Sequence, residues 1–98
     1  MSDMTDAYTQ DEAAAAGWRI EPDKIVKTYR FDSFRAAIGF MADCAPAIDA
    51  LDHHPDWTNV YNRLVVTLTT HDAKGLTARD FRLARLLDER FAERPGAA

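Results

Sequence analysis

Apolar and polar positions follow two periods along this chain. The sharpest alternation lies in residues 63–71, where Leu64, Val66 and Leu68 share one side and Val65, Thr67, Thr69 and His71 the other, which predicts a strand. Residues 24–31 repeat it, with Ile25, Tyr29 and Phe31 on one face and Val26, Thr28 and Arg30 on the other. That half-buried strand pairs as a hairpin with residues 18–20 across the Glu21-Pro22-Asp23 turn. A further strand is expected at residues 57–61.

Elsewhere the period is helical. Thr9-Gln10-Asp11-Glu12 has the spacing of a capping box and opens a helix of about two turns that Gly17 ends. Asp32 or Ser33 caps a longer helix, whose stripe Phe34, Ile38, Met41, Ala45 and Ile48 is flanked by Ala37, Cys44 and Leu51. Pro46 lacks an amide hydrogen and predicts a bend near residues 42–46. This helix runs out at Asp52, and His53-His54-Pro55 is a loop because the residue before a proline is pushed toward extended geometry. The last helix starts at Thr77 as cap with Asp80 at its third position, so both residues read as structural rather than catalytic. It carries Phe81, Ala84, Leu87 and Phe91, widened by Leu83 and Leu86, and ends at Pro95-Gly96.

The expected class is α+β: a four-stranded antiparallel sheet with three helices packed on one face, in the order helix, strand, strand, helix, strand, strand, helix. The second sheet face, with Val65, Thr67 and Thr69, is free to bury against another subunit. Ninety-eight residues make one domain, placed at 9–94 between a flexible tail at 1–8 and a short tail at 95–98. The net charge of −4, with basic residues scattered, argues against a nucleic-acid partner. Cys44, the lone cysteine, reads as a small buried hydrophobe. No apolar run reaches the roughly 20 residues of a bilayer span, and a soluble, cytoplasmic protein without membrane contact is expected.

Candidate chemistry concentrates in residues 49–71. All three histidines, His53, His54 and His71, fall there, with Asp49, Asp52, Asp56, Trp57 and Tyr61. Histidine's unperturbed pKa of roughly 6.5 lets it give and take protons near neutrality, which suits proton transfer on a small molecule. A metal site is not expected, because His53 and His54 lack the i, i+4 spacing of helical zinc sites and no other ligand cluster accompanies them.

The order Asp49, three residues, His53-His54-Pro55, five residues, Tyr61, nine residues, His71, eight residues, Asp80 resembles the signature of the pterin-4a-carbinolamine dehydratases, also called 4a-hydroxytetrahydrobiopterin dehydratases. The run LDHHPDWTNVY at 51–61, the strand end at 67–71 and the residues 75–80 all read as that family, over about four-fifths of the chain. The resemblance implies an enzyme that removes water from a 4a-hydroxytetrahydropterin to give the quinonoid dihydropterin, without metal or redox cofactor. It implies that His53, His54 and His71 act together: His53 as acid for the departing hydroxyl, His54 chiefly as pterin binder, His71 as partner acid or base. Asp49, Asp52, Pro55 and Trp57 are the expected substrate-binding residues, Pro55 chiefly by fixing the loop. Asp49 stands where the family commonly has glutamate, which shortens its reach by one methylene. The resemblance further implies a homodimer or homotetramer and a link to an aromatic amino-acid hydroxylase whose pterin is recycled. It also brings an alternative, a non-catalytic protein-binding cofactor of the same fold, serving a transcription factor or RuBisCO assembly.

Overall fold

The residues that alternate most sharply in sequence form the centre of the sheet. In the computed structural model, which describes residues 6–70 and 75–94, the elements are α1 (Gln10–Ala15), β1 (Arg19–Ile20), β2 (Ile25–Arg30), α2 (Phe34–Leu51), β3 (Asp56–Val60), β4 (Arg63–Leu68) and α3 (Ala78–Glu93). The sheet order is β1-β2-β4-β3 and every pairing is antiparallel. Ile25 pairs with Leu68, Lys27 with Val66 and Tyr29 with Leu64, so these six side chains share one face. Ile25, Leu64, Val66 and Leu68 are fully buried there, while Val65 and Thr67 on the reverse face are half-buried. The expected class and element order are therefore those of the fold.

Helices α2 and α3 cover the buried face. From α3 come Leu83, Ala84, Leu86 and Leu87, as its pattern predicts. The stripe predicted for α2 needs correction: Ala37, Phe40, Cys44 and Ile48 face the core, whereas Phe34 is 52% and Ile38 41% exposed and Ala45 is exposed. This helix is apolar most of the way round, so periodicity could not choose a face. Its aromatic neighbours do, for the Phe40 ring lies 5.4 Å from Tyr29, 5.3 Å from Phe31 and 5.9 Å from Phe91. The α-helical run continues through Pro46, which sits on the exposed side with Ala42, so the carbonyl it leaves without a partner faces water. No described helix is long and apolar enough to cross a membrane.

The short α1 cannot stand on its own turns, because helices of this length are marginal in isolation. It is held by its capping box, Thr9 with Glu12, and by a carboxylate from α3. Asp88 Oδ2 accepts from the Tyr8 hydroxyl at 2.7 Å and the Trp18 indole at 3.0 Å. Its Oδ1 accepts from Lys27 Nζ at 2.7 Å and from the Tyr29 hydroxyl at 2.5 Å. Lys27 also donates to the carbonyl of Ala16 at the end of α1. Burial first, then the Asp88 charge and hydrogen bond, raise the Tyr29 phenol; for Tyr8 burial again leads, followed by the Asp88 bond. Both phenols thus remain donors across the working pH range. Burial likewise pushes the Cys44 thiol up to about 11, consistent with an inert core residue.

Tyr61 was expected in a strand and instead occupies the two-residue turn between β3 and β4, with φ 53 and 66% exposure. A non-glycine residue in that left-handed region is disfavoured, whereas asparagine tolerates it. Tyr61→Asn should raise stability by about 1 kcal/mol, seen as a higher urea midpoint with unchanged slope. A lower midpoint would mean that the exposed ring packs more than its surroundings indicate.

Candidate active site at the His-His-Pro loop

Three pieces of local structure meet where α2 ends. Asp52 closes α2 in the left-handed conformation, φ 54 and ψ 39, with its amide bonded to Asp49 O. Aspartate is among the few residues that accept this geometry, which accounts for an acid at a helix C-terminus where dipole energetics disfavour one. The chain turns there into His53-His54-Pro55, a loop as expected, and enters β3 at Asp56. On the other side β4 leads to Thr70, which pairs with Gly75 in an isolated bridge, and α3 begins beyond Thr77.

The capping box expected from Thr77 and Asp80 is present: Asp80 Oδ2 accepts from the Thr77 amide at 3.0 Å. The same oxygen accepts from the Thr70 hydroxyl at 2.7 Å. That hydroxyl has one proton, spent on Asp80, so across the 2.8 Å Thr70–Thr77 contact the Thr77 hydroxyl donates. Asp80 Oδ1 is left for His53, whose Nε2–H donates to it at 2.7 Å. A carboxylate has no proton to offer, so this contact places the ring proton on Nε2 and leaves Nδ1 to meet a ligand. The Asp80 side chain is fully buried and that of His53 is 10% exposed. Among the described residues no buried side-chain polar atom lacks a partner.

His54 turns elsewhere. Its Nε2–H donates to Asp49 Oδ1 at 2.9 Å, and both side chains are largely exposed, at 57% and 76%. The shorter acid at position 49 therefore still reaches a histidine. Adjacent histidines thus take carboxylates from two different helices, α3 for His53 and α2 for His54. Pro55 is half-buried in the loop, Asp52 is exposed, and Trp57 is half-buried on β3 opposite Val66. His71, the third expected member, lies outside the described residues. Two contacts had no warning in the local pattern: Thr70, and the second duty of Asp80, for which the only signal is its place in the signature order with His53. The capping-box spacing explains one carboxylate oxygen completely and is silent about the other.

This arrangement can hold one imidazole in a single tautomer in a nearly dry setting, beside a second imidazole open to water. Such a pair suits donation or removal of a proton on a neutral ligand. Among the described residues no group of three or more His, Cys, Asp or Glu side chains is placed to hold a metal ion.

Comparison with known proteins bears on the same loop. The sequence model of the family described as Pterin 4 alpha carbinolamine dehydratase matches residues 2–90. A Rhizobium etli protein assigned the name pterin-4-alpha-carbinolamine dehydratase is 48% identical over 90 residues, spanning 90% of this chain and 89% of its own. A Bordetella avium protein assigned the same name is 50% identical over 78 residues, 78% of this chain and 72% of its own. Among solved structures, the transcriptional coactivator/pterin dehydratase from Brucella melitensis matches with a TM-score of 0.73 and 37% identity, covering 86% of this chain and 97% of that one.

Asp80→Asn tests the tautomer. With two donors on the Thr70 and Thr77 side, the amide oxygen belongs there, and its NH₂ then faces His53 Nε2. The neutral His53 ring should move its proton to Nδ1, read from imidazole nitrogen shifts, while stability falls by about 1–3 kcal/mol. Asp49→Ala, at an exposed pair, should cost less than about 1 kcal/mol by urea denaturation. An unchanged His53 tautomer in Asp80→Asn would contradict the assignment.

Proposed function

Because the chain belongs to the pterin 4 alpha carbinolamine dehydratase family, a family of carbon–oxygen lyases, we propose that it removes water from a 4a-hydroxytetrahydropterin to give the quinonoid dihydropterin. The observation that carries the reading is the buried His53–Asp80 pair at the start of the His-His-Pro loop.

The substrate carries a hydroxyl on C4a beside an N5–H. Dehydration breaks the C4a–O bond and the N5–H bond, forms a C4a–N5 double bond and releases water, so a proton must reach the hydroxyl while another leaves N5. No electrons leave the substrate. His53 acts as the imidazolium: it keeps Nε2–H on Asp80 and gives the first proton from Nδ1, the nitrogen that bond leaves outward. This leaves the neutral Nε2–H tautomer until the proton taken up by His71 is returned to it through water. Asp80 is a positioning residue that fixes ring orientation and tautomer. His54, steadied by Asp49, binds the pterin at the solvent side, and His71 accepts the N5 proton. Asp52, Pro55 and Trp57 border the ring system, with Pro55 holding the loop. Positioned acid–base groups typically contribute ~10²–10⁴-fold, enough for a reaction that also proceeds unaided.

The physiological setting proposed with this reaction is the cytoplasm, where a homo-oligomer returns the pterin oxidised by an aromatic amino-acid hydroxylase. The Brucella melitensis protein's name couples a coactivator role with pterin dehydration, so that relative gives no ground for a non-catalytic reading here.

The test is stopped-flow absorbance of freshly generated 4a-hydroxytetrahydropterin with wild type, His53→Ala and buffer alone. Wild type should accelerate decay, and His53→Ala should lose ~10²-fold or more of that acceleration. His54→Ala should raise KM more than it lowers kcat. Folded wild type that matches buffer would remove the proposal.

A further inference from the structure

Two constraints from distant parts of the chain meet in the first turn of α3. One is Asp80, which holds His53. The other is its neighbour Phe81, whose carbonyl accepts from the Tyr8 amide at 3.2 Å. Tyr8 belongs to the stretch read from composition as tail, yet its hydroxyl reaches Asp88 on the same helix at 2.7 Å. Phe81 and Asp88 are seven residues apart, about 10 Å along a helix axis, so one residue of the arm bridges the first two turns of α3. The carbonyl of Phe81 also closes a helical turn of α3, so the Tyr8 amide is a second donor on an acceptor that the helix alone satisfies. Folding of α3 does not require that bond. It adds a restraint on the turn that carries Asp80.

We propose that Tyr8 is a positioning residue for the candidate active site: anchored by Asp88, it braces the first turn of α3 and thereby holds Asp80 on His53 Nε2. The proposal rests on the dehydratase reading for its kinetic consequence, though not for its structural one. Trp18 supplies the internal control. Its indole donates to the same Asp88 oxygen at 3.0 Å, and it makes no bond to the turn at Phe81. Loss of either donor weakens the Asp88 cluster, but only loss of the Tyr8 hydroxyl releases the anchor of a residue whose amide also reaches the start of α3, leaving that amide bond as the sole tie.

Tyr8→Phe keeps the ring and the backbone amide and removes only the bond to Asp88, so the fold survives. Trp18→Phe removes the matching donor. Both should lower Tm. In Tyr8→Phe the His53 Nε2–H signal in ¹H–¹⁵N spectra should broaden through exchange with water, and kcat should fall about three- to tenfold at nearly constant KM, because small displacements of a reacting group are costly. In Trp18→Phe that signal and kcat should stay at wild-type values. Equal behaviour of the two variants, or an unaltered His53 signal in Tyr8→Phe, would overturn the proposal. If wild type does not accelerate dehydration, the dehydratase reading fails while the His53 signal still decides whether Tyr8 braces the site.

Discussion

A buried carboxylate must be fully satisfied, and Asp80 is the one on which this site depends. An ionised acid with no solvent exposure is tolerated only where donors replace its water shell. Asp80 finds them in three places: the Thr77 amide at the start of α3, the Thr70 hydroxyl beyond β4 and the His53 ring in the loop after α2. Loop, strand end and helix start are thereby fixed to one another through two oxygen atoms. The capping box alone would leave His53 free to rotate, and the histidine alone would leave the helix start uncapped.

Helix α3 carries a second satisfied carboxylate, Asp88, and the two divide the molecule between them. Asp80 faces the loop and Asp88 the N-terminal arm, where four donors from Tyr8, Trp18, Lys27 and Tyr29 converge. The aromatic cluster of Tyr29, Phe31, Phe40 and Phe91 lies between the sheet and both long helices, with Tyr29 and Phe91 4.9 Å apart. Tyr29 thus belongs both to the polar cluster and to the core, which couples the arm to the sheet. A chain of 98 residues has a modest core for its surface. Polar ties of this kind offset that by locking elements that apolar contact alone would leave loosely specified.

Local rules carried much of this into the sequence. The two-residue period at Leu64, Val66 and Leu68 gave the central strand, Thr9 with Glu12 and Thr77 with Asp80 gave two helix starts, and the proline after His54 gave the loop. Each depends on residues a few positions apart. The same limit explains what stayed hidden. His53 and Asp80 are 27 residues apart and Tyr8 and Asp88 80 apart, and no periodicity links them. The buried face of α2 was misread because nearly every side of that helix is apolar, and the choice lay with rings on β2 and α3. Tyr61 fell in a turn because its position is set by pairing of β3 with β4, where Val60 meets Arg63 and leaves two residues to reverse the chain. The histidine cluster itself was legible, while the partners that orient its members were only half so: Asp49 by proximity, Asp80 under another role.

The central claim is that Asp80 acts on the reaction only through His53. A double-mutant cycle on the dehydration rate, with His53→Ala, Asp80→Asn and the combination, measures it most directly. If the account holds, each single substitution lowers turnover and the double variant is no slower than His53→Ala alone. Losses that multiply in the double variant would mean that the two residues act independently, and would contradict the account.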